Sequence, residues 1–199
     1  MRLLIALLCG GLLMGQTKHD LEIKDFQDKL NLEFKTVGET PLRGDNLAQF
    51  KKLPFFDTHP RYKVKAKLVP TQNAEVFDIP TSSGKTKKYK EYGTLFFKID
   101  KVPYSLKVYQ SHDLIKNPKY KDYLFLPFRD ETNGKETYGG GRYLDLKIPK
   151  KKKLIVDFNK AYNPFCAYNA LDYNCPIVPL ENKLPIAIKA GVKYEDIYY

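Results

Sequence analysis

No apolar run in this 199-residue chain reaches about 18 residues, the length at which a helix can cross a bilayer, so a polytopic membrane protein is ruled out. Cysteine is scarce: Cys9, Cys166 and Cys175 are the full set, and no Cys-x-x-Cys or His-x-x-x-His spacing gathers ligands around one ion. No metal site is expected. Arginine is scarce as well, at Arg2, Arg43, Arg61, Arg129 and Arg142 only, and lysine supplies the rest of the 34 basic residues. Readers of nucleic acid lean on Arg for bidentate base contacts, so the net charge of +11 is read as diffuse surface lysine and no nucleic-acid partner is expected. Also missing are a βαβ spacing and the Gly-x-x-x-x-Gly-Lys-Ser/Thr phosphate loop, which removes nucleotide-binding folds with parallel sheets. No cofactor is expected; a flavin-binding barrel is a fold-level analogy alone. No internal repeat and no long linker divides the chain.

What is present is enough to fold on. Hydrophobic residues make up 43%, with 15 Tyr and 12 Phe, while the mean hydropathy is −0.47. Disordered chains pair net charge with few aromatics, so a packed core is expected. Arg2 stands before the apolar stretch Leu3 to Leu13, and Gly15 offers a small residue where polar sequence begins. This is the layout of a signal peptide over residues 1–15, cleaved near Gly15, which would deliver a secreted or periplasmic protein with no transmembrane segment in the mature chain. A lipid anchor at Cys9 is the alternative, against which Leu8 stands where a small residue is wanted. In an exported chain the remaining pair, Cys166 and Cys175, is read as a disulfide, and closing so short a loop contributes about 2 to 3 kcal/mol on the loop-entropy model. The sharper reading makes Cys166 a nucleophile, but His19, His59 and His112 are all distant in sequence.

The periodicity predicts a mainly β fold, an antiparallel β-sandwich or barrel with one N-terminal α-helix. Ile23, Phe26, Leu30 and Phe34 recur at helical spacing, with Asp20 as the cap and Gly38 at the end; one short turn of helix follows Asp45. Residues 18–53 thus form a helix and connecting loop, and residues 54–199 an antiparallel β domain. Alternation marks strands at Tyr62 to Leu68, Leu95 to Ile99, Tyr104 to Val108, Leu144 to Ile148 and Leu154 to Phe158. Further strands are expected at Glu75 to Ile79, Tyr123 to Phe128 and Ile186 to Ala190. Ser83-Gly84, Asp100-Lys101 and Asn133-Gly134 are natural corners, and Lys150 to Lys153 reads as a solvated hairpin loop.

The segment Asn133 to Leu146, containing Tyr138-Gly139-Gly140-Gly141-Arg142, is followed by Val156-Asp157-Phe158-Asn159 through Tyr162-Asn163-Pro164-Phe165-Cys166-Ala167-Tyr168-Asn169, and then by Cys175-Pro176-Ile177 and Glu181-Asn182. With Tyr92-Gly93, Val108-Tyr109-Gln110 and Tyr123 to Phe128 upstream, it resembles the bacterial and archaeal family called domain of unknown function 1684, over roughly residues 50 to 192. The resemblance implies no activity. From the residues themselves, three glycines can bring backbone N–H groups to an anion, and Arg142 adds a fixed charge; the bland alternative is a glycine bulge with Arg142 paired to Asp145 or Glu136. Asn159, Tyr162, Asn163 and Tyr168 supply neutral donors and acceptors, either for a ligand or for a network fastening the loop. The expected ligand site is therefore Tyr138, Gly139, Gly140, Gly141, Arg142, Asp145, Asn159, Tyr162, Asn163 and Tyr168, taking a small anionic or carbohydrate-like molecule or an envelope polymer. The alternatives are a hydrolase or transferase using Cys166 or Glu181, and a structural envelope protein; no residue identifies itself as a general acid or base.

Overall fold

The alternating segments pair into one antiparallel sheet in a computed structural model that describes residues 16–195; the expected leader over 1–15 lies outside the described residues. Its strands are β1 (Lys63–Pro70), β2 (Val76–Pro80), β3 (Thr86–Ile99), β4 (Val102–Ser111), β5 (Tyr123–Phe128), β6 (Arg142–Lys147) and β7 (Lys153–Asp157). They run in the order β6-β5-β4-β3-β1-β7, with β2 also on β3. β3 is 14 residues long and carries both β1 and β2 along one edge. At Gly93 the β3 register shifts against β4, and a Cβ there would stand 2.4 Å from the Val69 carbonyl oxygen, so only glycine lets β1 pass this close. The β3–β4 corner is Asp100-Lys101, with both residues at positive φ, the turn whose twist matches that of the strands.

Period two divides side chains between two layers. Val64, Ala66 and Leu68 of β1, Leu95 and Phe97 of β3, Leu106 and Val108 of β4, Leu124 and Leu126 of β5, Leu144 of β6 and Val156 of β7 fill the inside of the curl. On the opposite face Tyr89, Tyr109, Phe125 and Tyr143 pack with Ile79 and Val178. β5 is buried on both faces, which is why Tyr123 to Phe128 reads as a continuous apolar run.

The sheet is a curled half-barrel, and this corrects the expected lysine hairpin. β6 and β7 are not partners but the two ends of the sheet order. The short link between Lys147 and Lys153 can span only about 20 Å, so the sheet must curl until its edges approach. After β7 the chain closes the gap: Tyr143 and Tyr162 exchange backbone hydrogen bonds of 2.9 and 3.1 Å. Ile186 to Ala190 is not a strand either. Its carbonyls at Ile188 and Ala190 accept from a buried guanidinium, and the Ile188 amide donates to Asp130, so they are not available to a ladder.

The helix α1 (Lys18–Lys35) begins one turn's logic earlier than expected. Thr17 is its cap and Asp20 the third residue in a reciprocal capping box, with Asp20 accepting from the Thr17 amide at 2.8 Å. A second helix, α2 (Gly44–Gln49), lies in the connecting loop. Leu30, Phe34, Leu42 and Leu53 share a core with Ala167, Tyr168 and Val192, so the N-terminal segment is packed onto the β domain.

Candidate functional site

β6 decides which residues face outward. Leu144 points into the curl, so Arg142 at i−2 does too, while Tyr143 and Asp145 share the outer face. β5 is antiparallel to β6 with Tyr123 opposite Lys147 and Phe125 opposite Asp145, which sets the Tyr123 phenol diagonally over Asp145. Tyr123 donates to Asp145 Oδ1 at 2.7 Å, and Tyr162, brought to β6 by its bridge with Tyr143, donates to the same oxygen at 2.7 Å. Burial, and after it the Asp145 charge, pushes both phenols well above the ordinary tyrosine value. They are therefore donors at neutral pH. Tyr143 stands over them at right angles, its ring 6.0 Å from that of Tyr162, and its hydroxyl donates to the Pro176 carbonyl.

Tyr143, Tyr162 and Asp145 line a cleft of about 610 Å³ that is also bordered by Phe26, Leu30 and Glu33 of α1 and by Phe165 and Tyr173. A second hollow of about 570 Å³ adjoins it across Tyr143 and Tyr162, with Tyr89, Tyr123 and Phe125 on its walls. Lys87 borders both, its ammonium donating to the Asn174 carbonyl at 2.7 Å. Three carboxylates, Glu33, Asp145 and Asp172, also line the larger cleft, and Asp172 is paired with Arg43. Burial raises Glu33 above the usual carboxylate range, with the charges of Glu39 and Asp145 adding to it.

The expected residues do not gather at one site. Asp145 and Tyr162 meet in the cleft. Tyr138 and Gly140 border a smaller cavity of about 230 Å³ with Ser82, Arg129, Cys166 and Cys175, while Gly139 is exposed. Gly141 is a backbone device: its φ is +98°, and a Cβ would stand 2.7 Å from both the Phe128 carbonyl oxygen and Val178. The remaining four serve the scaffold. Arg142 is 0% exposed and donates to Asp130 Oδ2 at 2.7 Å, to the Ile188 carbonyl at 2.8 Å and to the Ala190 carbonyl, with Phe128 beneath it at 5.2 Å. The expected ligand-facing cation is thus a core clamp, and its partner is Asp130 rather than Asp145 or Glu136. Asn159 bonds both backbone groups of His59, at 2.9 and 3.1 Å, and Asn163 donates to Tyr168 and to the Lys193 carbonyl. Tyr168 packs its ring 4.8 Å from Phe34.

Sequence reasoning passed over Tyr123, Tyr143, Lys87 and Glu33. The signal for Tyr143 was available: it shares the parity of Asp145, and Arg142 shares that of Leu144 and Leu146. Glu181 lies away from the cleft, accepting from Tyr109 at 3.2 Å. The expected bridge is not formed, because Cys166 and Cys175 are both free thiols. The loop nevertheless brings them together, with the Cys166 amide donating to Cys175 Sγ at 3.1 Å. Among the described residues no group of three His, Cys, Asp or Glu side chains is gathered as for a metal ion, and no helix is long and apolar enough to cross a membrane.

A family model described as a protein of unknown function, DUF1684, matches residues 48–193. The solution NMR structure of an uncharacterised protein from Haloarcula marismortui is similar, with a TM-score of 0.67 and 31% sequence identity, covering 88% of this chain and 94% of that one. No curated protein matches the chain.

Proposed function

The chain belongs to the DUF1684 family of proteins of unknown function, and on that premise we propose that it is an exported β domain that binds a small carbohydrate-like ligand in the cleft between α1 and β6. The observation that carries this reading is the convergence of Tyr123 and Tyr162 on Asp145 Oδ1 at the mouth of an aromatic-lined cleft of about 610 Å³. Tyrosine rings offer an apolar face to a sugar ring and a hydroxyl at the edge, and pockets of this size commonly combine apolar walls with a few fixed polar groups. Carboxylates accept from ligand hydroxyls, which suits a neutral polyol. The anionic ligand that the sequence also suggested loses support on charge, since Glu33 and Asp145 outnumber Lys87, Asp172 is paired with Arg43, and the guanidinium of Arg142 faces the core. Export rests on the leader layout of residues 1–15.

Titration calorimetry with neutral cello-, chito- and malto-oligosaccharides, alongside citrate and inorganic phosphate, tests the reading. Saturable binding of a neutral sugar is expected, weakened about tenfold or more in Asp145→Asn, because a hydrogen bond to a charged group contributes about 1.5 to 3 kcal/mol. Tyr162→Phe should weaken it less, and both variants should melt within a few degrees of the parent. Binding of phosphate or citrate in place of sugars, no binding by any probe, or full affinity in Asp145→Asn would overturn it.

A further inference from the structure

Cys175 borders both the cleft and a smaller cavity, Cys166 the smaller cavity alone, and the pair has the surroundings of a reactive site. Cys166 sits in the middle of a single 3-10 turn, Phe165–Ala167, and is 7% exposed. Cys175 lies on the returning loop, where it is held along the end of β2: its amide donates to Ser82 Oγ at 3.1 Å and its carbonyl accepts from the Ser82 amide at 2.9 Å. Two separately anchored backbones thus bring Cys175 Sγ to the Cys166 amide at 3.1 Å. Both thiols open onto the cavity of about 230 Å³, which also receives Ser82, Arg129 and Tyr138. Arg129 Nε is buried there without a partner among the described residues, a donor with nothing to donate to.

We propose that Cys166 and Cys175 form a redox site that reduces small hydroperoxides, with Cys166 as the attacking sulfur and Cys175 as the resolving one. In the first step the Cys166 thiolate forms an S–O bond with the terminal oxygen of the hydroperoxide. The O–O bond breaks, its electron pair leaves on the second oxygen, and that oxygen takes a proton to become an alcohol, or water from hydrogen peroxide. Cys166 is then a sulfenic acid. In the second step Cys175 sulfur attacks the Cys166 sulfur, the S–O bond breaks, and the hydroxyl leaves with the Cys175 proton as water. The two cysteines together lose two electrons, which the peroxide gains. A small thiol such as glutathione resets the bridge by exchange, so turnover in an exported chain requires a compartment supplied with such a thiol.

The placement of donors supports this order. The Cys175 thiol donates to Cys166 and holds it down to about 7, with Ser82 adding a further hydrogen bond, while the same contact pushes Cys175 far up. That direction matches an attacking Cys166 and a resolving Cys175, and the Cys166 amide donating to Cys175 Sγ holds the two sulfurs within reach of each other. The Arg129 and Tyr138 side chains border the cavity and supply its donors for the peroxide oxygens. A small oxidant is favoured over a protein disulfide because Cys166 is buried and its cavity is small.

The test treats the reduced protein with stoichiometric hydrogen peroxide or cumene hydroperoxide, followed by alkylation and peptide mapping, so that Cys9 is followed separately. Cys166 and Cys175 should be consumed together into one intramolecular bridge that glutathione reopens, at least about tenfold faster than free cysteine, which is only a few per cent thiolate at neutral pH. Cys175→Ser should stop at a sulfenic acid on Cys166 that dimedone captures, and Cys166→Ser should leave Cys175 unreacted. Consumption no faster than free cysteine, sulfenic acid on Cys175, or a bridge that glutathione does not reopen would overturn the proposal. The last of these outcomes would make the pair a permanent structural disulfide. None of these readouts involves a sugar, so the redox site and the sugar cleft stand or fall separately.

Discussion

At the scale of single residues the sharpest energetic statement concerns Arg142. A guanidinium inside an apolar curl is costly to bury, and the fold offsets that cost with a carboxylate and two carbonyls around it. Asp130 is equally enclosed, its Oδ1 accepting from the amide of Thr132 at 2.8 Å, the hydroxyl of Thr132 at 2.6 Å and the amide of Ile188 at 3.3 Å. The pair therefore ties β6 to the C-terminal segment and to the loop after β5. Removing one partner leaves the other charge buried and alone. Asp130→Ala should lower the unfolding free energy in urea by about 3 to 5 kcal/mol. The double variant Asp130→Ala with Arg142→Met should recover a large share of that loss, because no uncompensated charge remains. Additive losses in the double variant would show that the cost lies in packing.

For elements, α1 illustrates how local signals and tertiary contacts divide the work. The capping box of Thr17 and Asp20 fixes where the helix begins, and exposed pairs such as Lys29 with Asp25 at 2.7 Å contribute only a few tenths of a kcal/mol. Docking depends on Phe34, which meets Phe50, Phe165 and Tyr168 with ring centroids 5.7, 5.7 and 4.8 Å away. Phe34→Ala should cost about 3 to 5 kcal/mol and expose α1 amides to hydrogen exchange, whereas Asp25→Ala should change stability by less than about 0.5 kcal/mol. Since α1 forms one wall of the cleft, the same substitution should also open it. The helix was legible because its apolar spacing is local. Its docking partners were not, because Phe165 and Tyr168 come from the far end of the chain.

On the scale of the whole molecule, one face of the half-barrel is a layer of phenols whose protonated form the fold favours. Burial pushes Tyr89 up from 10.0 to about 12, and burial with neighbouring charge pushes Tyr109, Tyr123, Tyr143 and Tyr162 up as well. An acid whose folded pKa is raised lends stability that is whole below its unfolded value and lost as pH rises toward the folded one. Stability should thus be flat to about pH 10 and fall steeply above it, for Tyr89 through about pH 12. The ring carbon resonances of Tyr89, Tyr109, Tyr123, Tyr143 and Tyr162, followed by NMR, should report phenolate only as the far-ultraviolet β signal is lost. Phenolate at any of these five in the intact fold near pH 10 would contradict this. The alternation of Val64, Ala66 and Leu68 with lysines, the Asp100-Lys101 corner and the spacing of Ile23 to Phe34 are local patterns, so the amino-acid sequence by itself determined α1, most of the strands, their antiparallel class and the presence of a polar-aromatic segment after β5. Only the tertiary structure decided that β6 and β7 end opposite edges of the sheet, that Ile186 to Ala190 gives its carbonyls to Arg142, and that Tyr123 and Tyr162 converge on Asp145. Propensity and periodicity act over a few residues, whereas strand order, closure and the partner of a buried charge depend on which distant groups meet across the curl.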